Sequence, residues 1–337
     1  MTLNVGVVGY GYWSPNVTRN FAACPSFRVA SVCDPRPERL EAASRAHPGV
    51  TTRGHARDLI EDPSLDALAI ITPVSSHFDL AMAALQAGKH VWVEKPLTAS
   101  SDQARRLVEA ARAHRRVLMV DHTYIYSGGI EALRALYRSG ELGRVRVYDS
   151  TRANLGIFRS DVNVLWDLAS HDVSILEHVF GDTIDAVSAV GTKCMAGTPE
   201  HTVFMTAFLR QGALAHIHVS WLAPEKIRRA TAVCEGGMVV YDDIAAAGEL
   251  QIHDAGVELL LGGAEPQIRC RRGEGHTAHV PRGEPLLEAV RHFADCIEQH
   301  KVPITDGAFG LKVVSVLEAA MQSMNSQGRP VEVEARS

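Results

Sequence analysis

Apolar and polar positions over the first 122 residues fall into two alternating periods. Short apolar runs rich in β-branched residues lie at 5–8, 27–33, 65–71, 90–93 and 117–120. Between them the spacing turns helical, at 16–23, 75–87 and 100–114. Continuous apolar runs of four to seven residues are what strands buried on both faces require. Thr72-Pro73 breaks the chain after one such run, and Gly88 caps the helix that follows. Strands alternating with helices imply a parallel, doubly wound sheet with right-handed crossovers.

Beyond about residue 122 the rhythm changes. A helical stretch at 129–139 is followed by runs at 145–153, 186–192, 202–209, 214–221, 230–235 and 238–241. These runs are mostly short and turn-linked, as in an antiparallel sheet. Two amphipathic helices, 286–299 and 309–325, close the pattern, and 276–283 reads as a mobile loop. The fold class is therefore α/β, with domains 1–122 and 123–337. The second is of α+β type, and its last helix is expected to pack back on the first.

Composition narrows the class. A chain of 337 residues with 46% hydrophobic content supports two cored domains rather than disorder. A net charge of −5 gives no electrostatic case for nucleic acid or an anionic membrane as partner. The first residues run straight into a strand without a charged leader, and no apolar run nears the ~20 residues of a membrane helix. Six scattered cysteines without a CxxC pair read as reduced packing residues of a cytoplasmic protein, and no metal site is expected.

The chemistry starts at the first strand, which ends VGYGYWS. Gly9 permits a tight turn and Gly11 a close approach of backbone to a pyrophosphate, whose charge then meets the N-terminus of the next helix. The third small position of this dinucleotide fingerprint is Ser14 rather than Gly or Ala. Asp34 ends the second run, where an acid grips the adenosine ribose and repels a 2′-phosphate. It favours NAD over NADP, although Arg36 two residues on softens the choice. By itself Asp34 reads equally well as a turn residue before Pro35.

Several polar residues lie at or just past strand carboxyl ends, where open α/β sheets bind ligands: Thr72, His77, Glu94, Lys95 and His122. In Glu94-Lys95-Pro96 the ammonium can stabilise a developing alkoxide. Taken alone, such a lysine is more often a solvated surface residue. Asp167 and His171, in LWDLASHD, are four apart and share a face if helical. An acid beside an imidazole suits proton removal from an alcohol. Taken alone, the pair reads more readily as a helix cap and a half-buried histidine. No GxSxG elbow supports acyl transfer. The basic residues Lys226, Arg228 and Arg229 read as phosphate-binding cations or, more commonly, a solvated face.

Together the glycine turn, Glu94-Lys95-Pro96 and Asp167-x-x-x-His171 resemble the Gfo/Idh/MocA oxidoreductase family over almost the whole chain. GYGYWSPNVTRNF, DHTYIYSGGI, RANLGIFRSDVNVLWDLASHDVSIL and the segment from EPLLEAVRHF onward resemble its UDP-N-acetylglucosamine and UDP-N-acetylglucosaminuronate 3-dehydrogenase branch. Ser14, Ser170 and Gly128-Gly129 depart from that branch. The resemblance implies a Rossmann domain followed by an open-faced, mainly antiparallel sheet that often forms a homodimer or homotetramer interface. It places Lys95, Asp167 and His171 in catalytic positions. It places Gly9, Gly11, Tyr12, Trp13, Asp34, Thr72, His77, Glu94 and Lys95 at the cofactor, and His122, Tyr124, Arg152, Arg159 and Asn163 at the substrate.

The expected reaction is NAD-dependent oxidation of a ring hydroxyl, C3 of a sugar nucleotide, to a 3-keto sugar. A free sugar, a cyclitol or an aminoglycoside-type pseudosaccharide is the alternative substrate, and 3-keto-sugar reduction the alternative direction. A non-catalytic NAD-binding regulator would not need Lys95, Asp167 and His171 together.

Overall fold

A computed structural model describes residues 2–156, 158–159, 161–181, 184–245, 250–260, 267–278, 280–281 and 283–333. The chain divides into two units, Met1–Tyr126 with Glu284–Ser315, and Ser127–Gly283 with Val316–Ser337.

The first unit is built on β1 (Leu3–Val8), β2 (Phe27–Cys33), β3 (Thr51–Arg53), β4 (Ala67–Ile70), β5 (His90–Glu94) and β6 (Leu118–Asp121). They pair in parallel in the order β3-β2-β1-β4-β5-β6. That is the dinucleotide-binding order, with its switch point between β1 and β4. The helices α1 (Ser14–Ala23), α2 (Pro37–Ala46), α3 (Ala56–Ile60), α4 (His77–Gln86) and α5 (Ser101–His114) link the strands. Neither α2, α3 nor β3 is expected from the sequence. Their stripes are too sparse: α2 buries only Ala43, and α3 only Leu59.

Residues 284–315 complete this unit, although a boundary at 122/123 puts them in the second. The cause is α8 (Pro285–Glu298). Its buried residues Leu286, Ala289, Val290, Phe293, Ala294 and Ile297 recur at helical spacing and join the core of β1, α1 and β2. Phe293 lies 5.8 Å from Phe27, stacked, and 5.7 Å from Trp92, edge-on. The periodicity shows that α8 has an apolar face, but not which sheet that face covers.

The second unit carries β7 (Val145–Ala153), β8 (Ile184–Thr192), β9 (Thr202–Leu209), β10 (Leu214–Ser220), β11 (Ile227–Cys234), β12 (Met238–Asp242) and β13 (Leu250–His253). A hairpin of β14 (Gly256–Leu260) and β15 (Gln267–Arg271), then β16 (Gly275–Ala278), follow; β17 (Val331–Glu332) ends the described chain. The nine-stranded sheet runs β16-β13-β12-β11-β7-β10-β9-β8-β17. All its pairings are antiparallel except β7 with β10. Residues 276–278, expected as part of a loop, belong to β16 and pair with β13; residues 279 and 282 of that stretch lie outside the described residues.

One face of this sheet is covered. Phe180 of α7 (Ser170–Phe180) packs edge-on against Tyr148 of β7 and Tyr137 of α6 (Gly128–Arg138). On the other face Val147, Val190, Phe204, Phe208, Leu214 and Val233 are all exposed. Leu214 stands opposite both Phe208 and Val147, so the apolar side chains are neighbours across strands.

The last helix, α9 (Gly307–Asn325), passes from the first unit into the second at Ser315/Val316. Of the six cysteines, Cys24, Cys33, Cys234 and Cys296 are buried, whereas Cys194 and Cys270 are exposed and are not packing residues. Among the described residues no helix is long and apolar enough to cross a membrane, and no cluster of His, Cys, Asp and Glu could hold a metal.

Candidate active site

The glycine turn follows β1. Gly9 has φ +89°, and a Cβ there would stand 2.5 Å from the Ile71 carbonyl oxygen, so both conformation and space require glycine. A Cβ at Gly11 would meet no protein atom within 4 Å. The residue is not needed for packing, and open space lies over its backbone. Ser14 is buried and donates its hydroxyl to the Gly9 carbonyl at 2.7 Å, so the serine reinforces the turn. No side chain caps α1, which leaves its first N–H groups for an anion. Tyr12 is largely exposed, and Trp13 is partly so.

Asp34 is buried at the tip of β2. Its Oδ1 accepts from the Arg36 backbone N–H and Nε; its Oδ2 accepts from the Tyr10 N–H and the second Arg36 nitrogen, at 2.8–3.0 Å. Burial alone would raise this carboxyl's pKa, but the Arg36 and Tyr10 hydrogen bonds outweigh it and hold it below the ordinary value. These four donors fill the carboxylate's acceptor positions. A ribose hydroxyl would have to compete for Asp34 with Arg36, whose side chain is half exposed.

The ends of β4 and β5 are tied together by His77. It is buried, with Nδ1 2.9 Å from the Pro96 carbonyl oxygen and Nε2 2.8 Å from that of Thr72. Both ring nitrogens face backbone acceptors, so His77 holds the loop after Lys95 rather than offering a nitrogen to a ligand. The Thr72 hydroxyl accepts from Ser76 at 2.7 Å. His122 is buried after β6, edge-on to Phe309. Among the described residues neither of its ring nitrogens has a partner. Burial, then the nearby Lys95 charge, pushes its pKa down to about 3, so the ring is neutral. Tyr124 follows in a single 3₁₀ turn, Thr123–Tyr126.

In the second unit Asp167 sits in a π-helical turn, Leu165–Ala169, that runs directly into α7. Such widened turns recur at functional sites. The sequence expectation of one regular helix through Asp167 and His171 is corrected to this extent. Asp167 accepts the Trp221 indole N–H at 3.1 Å and lies 3.7 Å from Arg159. Arg159 also makes a two-point pair with Asp161 at 2.7 and 3.0 Å, and about two-fifths of its side chain is exposed.

Arg152 and Asn163 occupy different surroundings from those expected. Arg152 is 5% exposed and donates Nε to Asp172 at 3.0 Å, a buried ion pair rather than an open cation. Asn163 gives its amide N–H to Glu200 at 2.9 Å and accepts from the Trp166 N–H, so it braces the π turn. In the expected basic cluster Arg228 is paired with Asp243 at 3.2 Å, while Lys226 and Arg229 are exposed.

Family comparisons meet this geometry from outside. Residues 3–122 match the model described as "Oxidoreductase family, NAD-binding Rossmann fold", and residues 130–240 the "GFO/IDH/MocA C-terminal domain". An inositol 2-dehydrogenase of Streptomyces avermitilis is 30% identical over 72% of this chain and 73% of its own.

The chain belongs to the Gfo/Idh/MocA oxidoreductase family.

A UDP-N-acetylglucosamine 3-dehydrogenase of Acidithiobacillus ferrooxidans is 28% identical over 95% of this chain and 96% of its own. Across the curated relatives the chain spans from 46% to 96% of their lengths. Among solved structures, a levoglucosan dehydrogenase in complex with NADH superposes with a TM-score of 0.85 at 20% identity, over 99% of both chains. The protein is thus an NAD-dependent oxidoreductase, and its first unit fits the cofactor on its own terms. The turn at Gly9, the open space at Gly11 and the uncapped α1 are what a pyrophosphate needs.

Gly11→Val tests that fit. The variant is expected to fold with a nearly unchanged Tm, because a Cβ there meets no protein atom within 4 Å, and to lose NADH binding because the side chain fills the pyrophosphate's place. Fluorescence titration with NADH reads the second quantity. An undiminished affinity would remove the turn from the cofactor site.

Two buried acids next to candidate residues are missed from sequence. Asp121, the last residue of β6, is buried opposite Glu94. Asp172 holds Arg152. The strand-end rule that selects Glu94 and His122 would also have found Asp121.

Proposed function

We propose that this oxidoreductase oxidises a ring hydroxyl of a sugar nucleotide, at C3, to the 3-keto sugar. The observation that carries this reading is Arg159. Its guanidinium is about two-fifths exposed, pairs with Asp161 and lies 3.7 Å from Asp167, so a cation that an anionic substrate group could share stands beside the carboxylate proposed to orient the base. Similarity along nearly the full length to a sugar-nucleotide 3-dehydrogenase supports the same substrate class.

Each residue then has a task. His171 takes the hydroxyl proton, as a histidine can near neutrality. Asp167 orients that imidazole and is itself held by the Trp221 indole. Lys95 places an ammonium on the substrate oxygen and stabilises the alkoxide as the proton leaves. Gly9, Gly11, Tyr12, Trp13, Asp34, Thr72, Glu94 and Lys95 hold the cofactor, which when bound accepts the hydride. His122, Tyr124 and Arg159 face the substrate. The exposed apolar strand face pairs with a second copy in a cytoplasmic homo-oligomer.

A cyclitol or free sugar is the second reading, favoured by the inositol 2-dehydrogenase relative and by an Arg152 buried against Asp172 instead of open to phosphate. Purified protein with NAD is offered UDP-N-acetylglucosamine, myo-inositol and levoglucosan, and NADH is followed by absorbance. Faster formation with the sugar nucleotide is expected. Turnover of inositol or levoglucosan alone would replace the first reading with the second.

A further inference from the structure

Glu94 and Asp121 are the last residues of β5 and β6 and stand opposite each other in register. Asp121 is 1% exposed. Its Oδ1 accepts the Thr123 hydroxyl at 2.6 Å. Among the described residues no N–H or O–H donor meets its Oδ2 at hydrogen-bonding geometry. The other groups that bear on this carboxyl are the Glu94 carboxyl, the Trp13 indole from the glycine turn and the Lys95 ammonium.

A buried carboxylate oxygen facing a second carboxylate is an expensive arrangement, because like charges cannot both stay ionised at short range. One proton between the two removes the conflict. An O–H···O bond then joins the two carboxyls, and the pair keeps a single negative charge, matched by Lys95. Burial raises the pKa of Asp121 and so disfavours a second charge on the pair, and the proton belongs to the two carboxyls together.

We propose that Asp121 and Glu94 form a carboxyl pair that shares one proton, and that Asp121 is through it a positioning residue for Lys95. The proposal rests on the reading that Lys95 holds the substrate oxygen. The pair gives Lys95 a counter-charge of fixed size at the strand end, and Thr123 and Trp13 fix where that charge lies. A doubly ionised pair would draw the ammonium inward, and a neutral pair would release it.

Two measurements test this without any substrate. The first is the infrared difference between the intact protein and Asp121→Asn at neutral pH. A protonated-carboxyl C=O band that moves in deuterium oxide is expected, and its absence overturns the shared proton. Glu94→Gln is the second variant, should the first fold poorly: it shifts the band, and an unmoved band overturns the pairing.

The second measurement is the rate of Lys95 acylation by acetic anhydride at neutral pH, read by mass spectrometry of the Lys95 peptide. With Asp121→Asn the one negative charge of the pair remains, on Glu94, so the rate stays as in the intact protein. Adding Glu94→Gln removes the one negative charge and raises the rate on the order of tenfold, as for one pKa unit. An equal rise in Asp121→Asn alone would mean two charges in the intact pair and overturn the proposal. Neither readout involves turnover, so a failure of the proposed reaction is seen separately, in the Lys95→Ala kinetics.

Discussion

His171→Ala and Lys95→Ala each lower turnover at least about a hundredfold, and His171→Ala leaves NADH affinity near that of the intact enzyme. The magnitudes follow from the tasks. A positioned general base contributes about 10²–10⁴ in rate. Removing a charge donor aimed at a developing oxyanion costs on the order of 2.7–4 kcal/mol. Hydride cannot leave the carbon until the hydroxyl proton has somewhere to go, so the two residues serve one event. The double variant is therefore scarcely slower than the worse single one. Asp167→Asn does less damage, since it keeps the side chain's shape and its contact with the Trp221 indole. Steady-state kinetics with saturating NAD, together with NADH titration, read all four. Near-full turnover in His171→Ala across neutral pH would pass the base role to another group.

The second large effect is on stability. Arg152 and Asp172 are both nearly inaccessible, at 5% and 4% side-chain exposure, and meet at 3.0 Å. Removing one partner leaves the other charge buried and uncompensated, which costs about 3–5 kcal/mol. Asp172→Ala and Arg152→Met should each destabilise the protein by that amount. Replacing both together, Arg152→Met with Asp172→Leu, should cost clearly less than the sum, because no lone charge remains. Urea unfolding followed by circular dichroism measures the cycle. Additive losses would mean that the ion pair is not the source of the cost.

The sequence made the first unit easy to read for a physical reason. A strand buried on both faces must be continuously apolar, and the turn at Gly9 admits no side chain. The apolar run and the positive φ of Gly9 are both properties of local residues, so β1, the glycine turn, α1 and Asp34 lie where the pattern puts them. Long-range partners leave weaker marks. The period of α8 is visible, but its place over Phe27 and Trp92 depends on residues more than 190 positions away.

Partnering also decides what a polar residue can do. Arg152 and Arg159 look alike in the sequence, yet one is buried against Asp172 and the other half open beside Asp167. His77 looks like a ligand contact until both ring nitrogens are found on backbone carbonyls. The π turn at 165–169 leaves no signature in side-chain spacing, since its periodicity differs from an α-helix by a fraction of a residue per turn.

The most direct test of the account follows the hydrogen itself. UDP-N-acetylglucosamine carrying deuterium at C3 is incubated with the enzyme and NAD, and the reduced cofactor is isolated for mass spectrometry. The account predicts deuterium on the nicotinamide ring and a 3-keto sugar nucleotide as the other product. Reduced cofactor without deuterium, or no reduced cofactor at all, would contradict it.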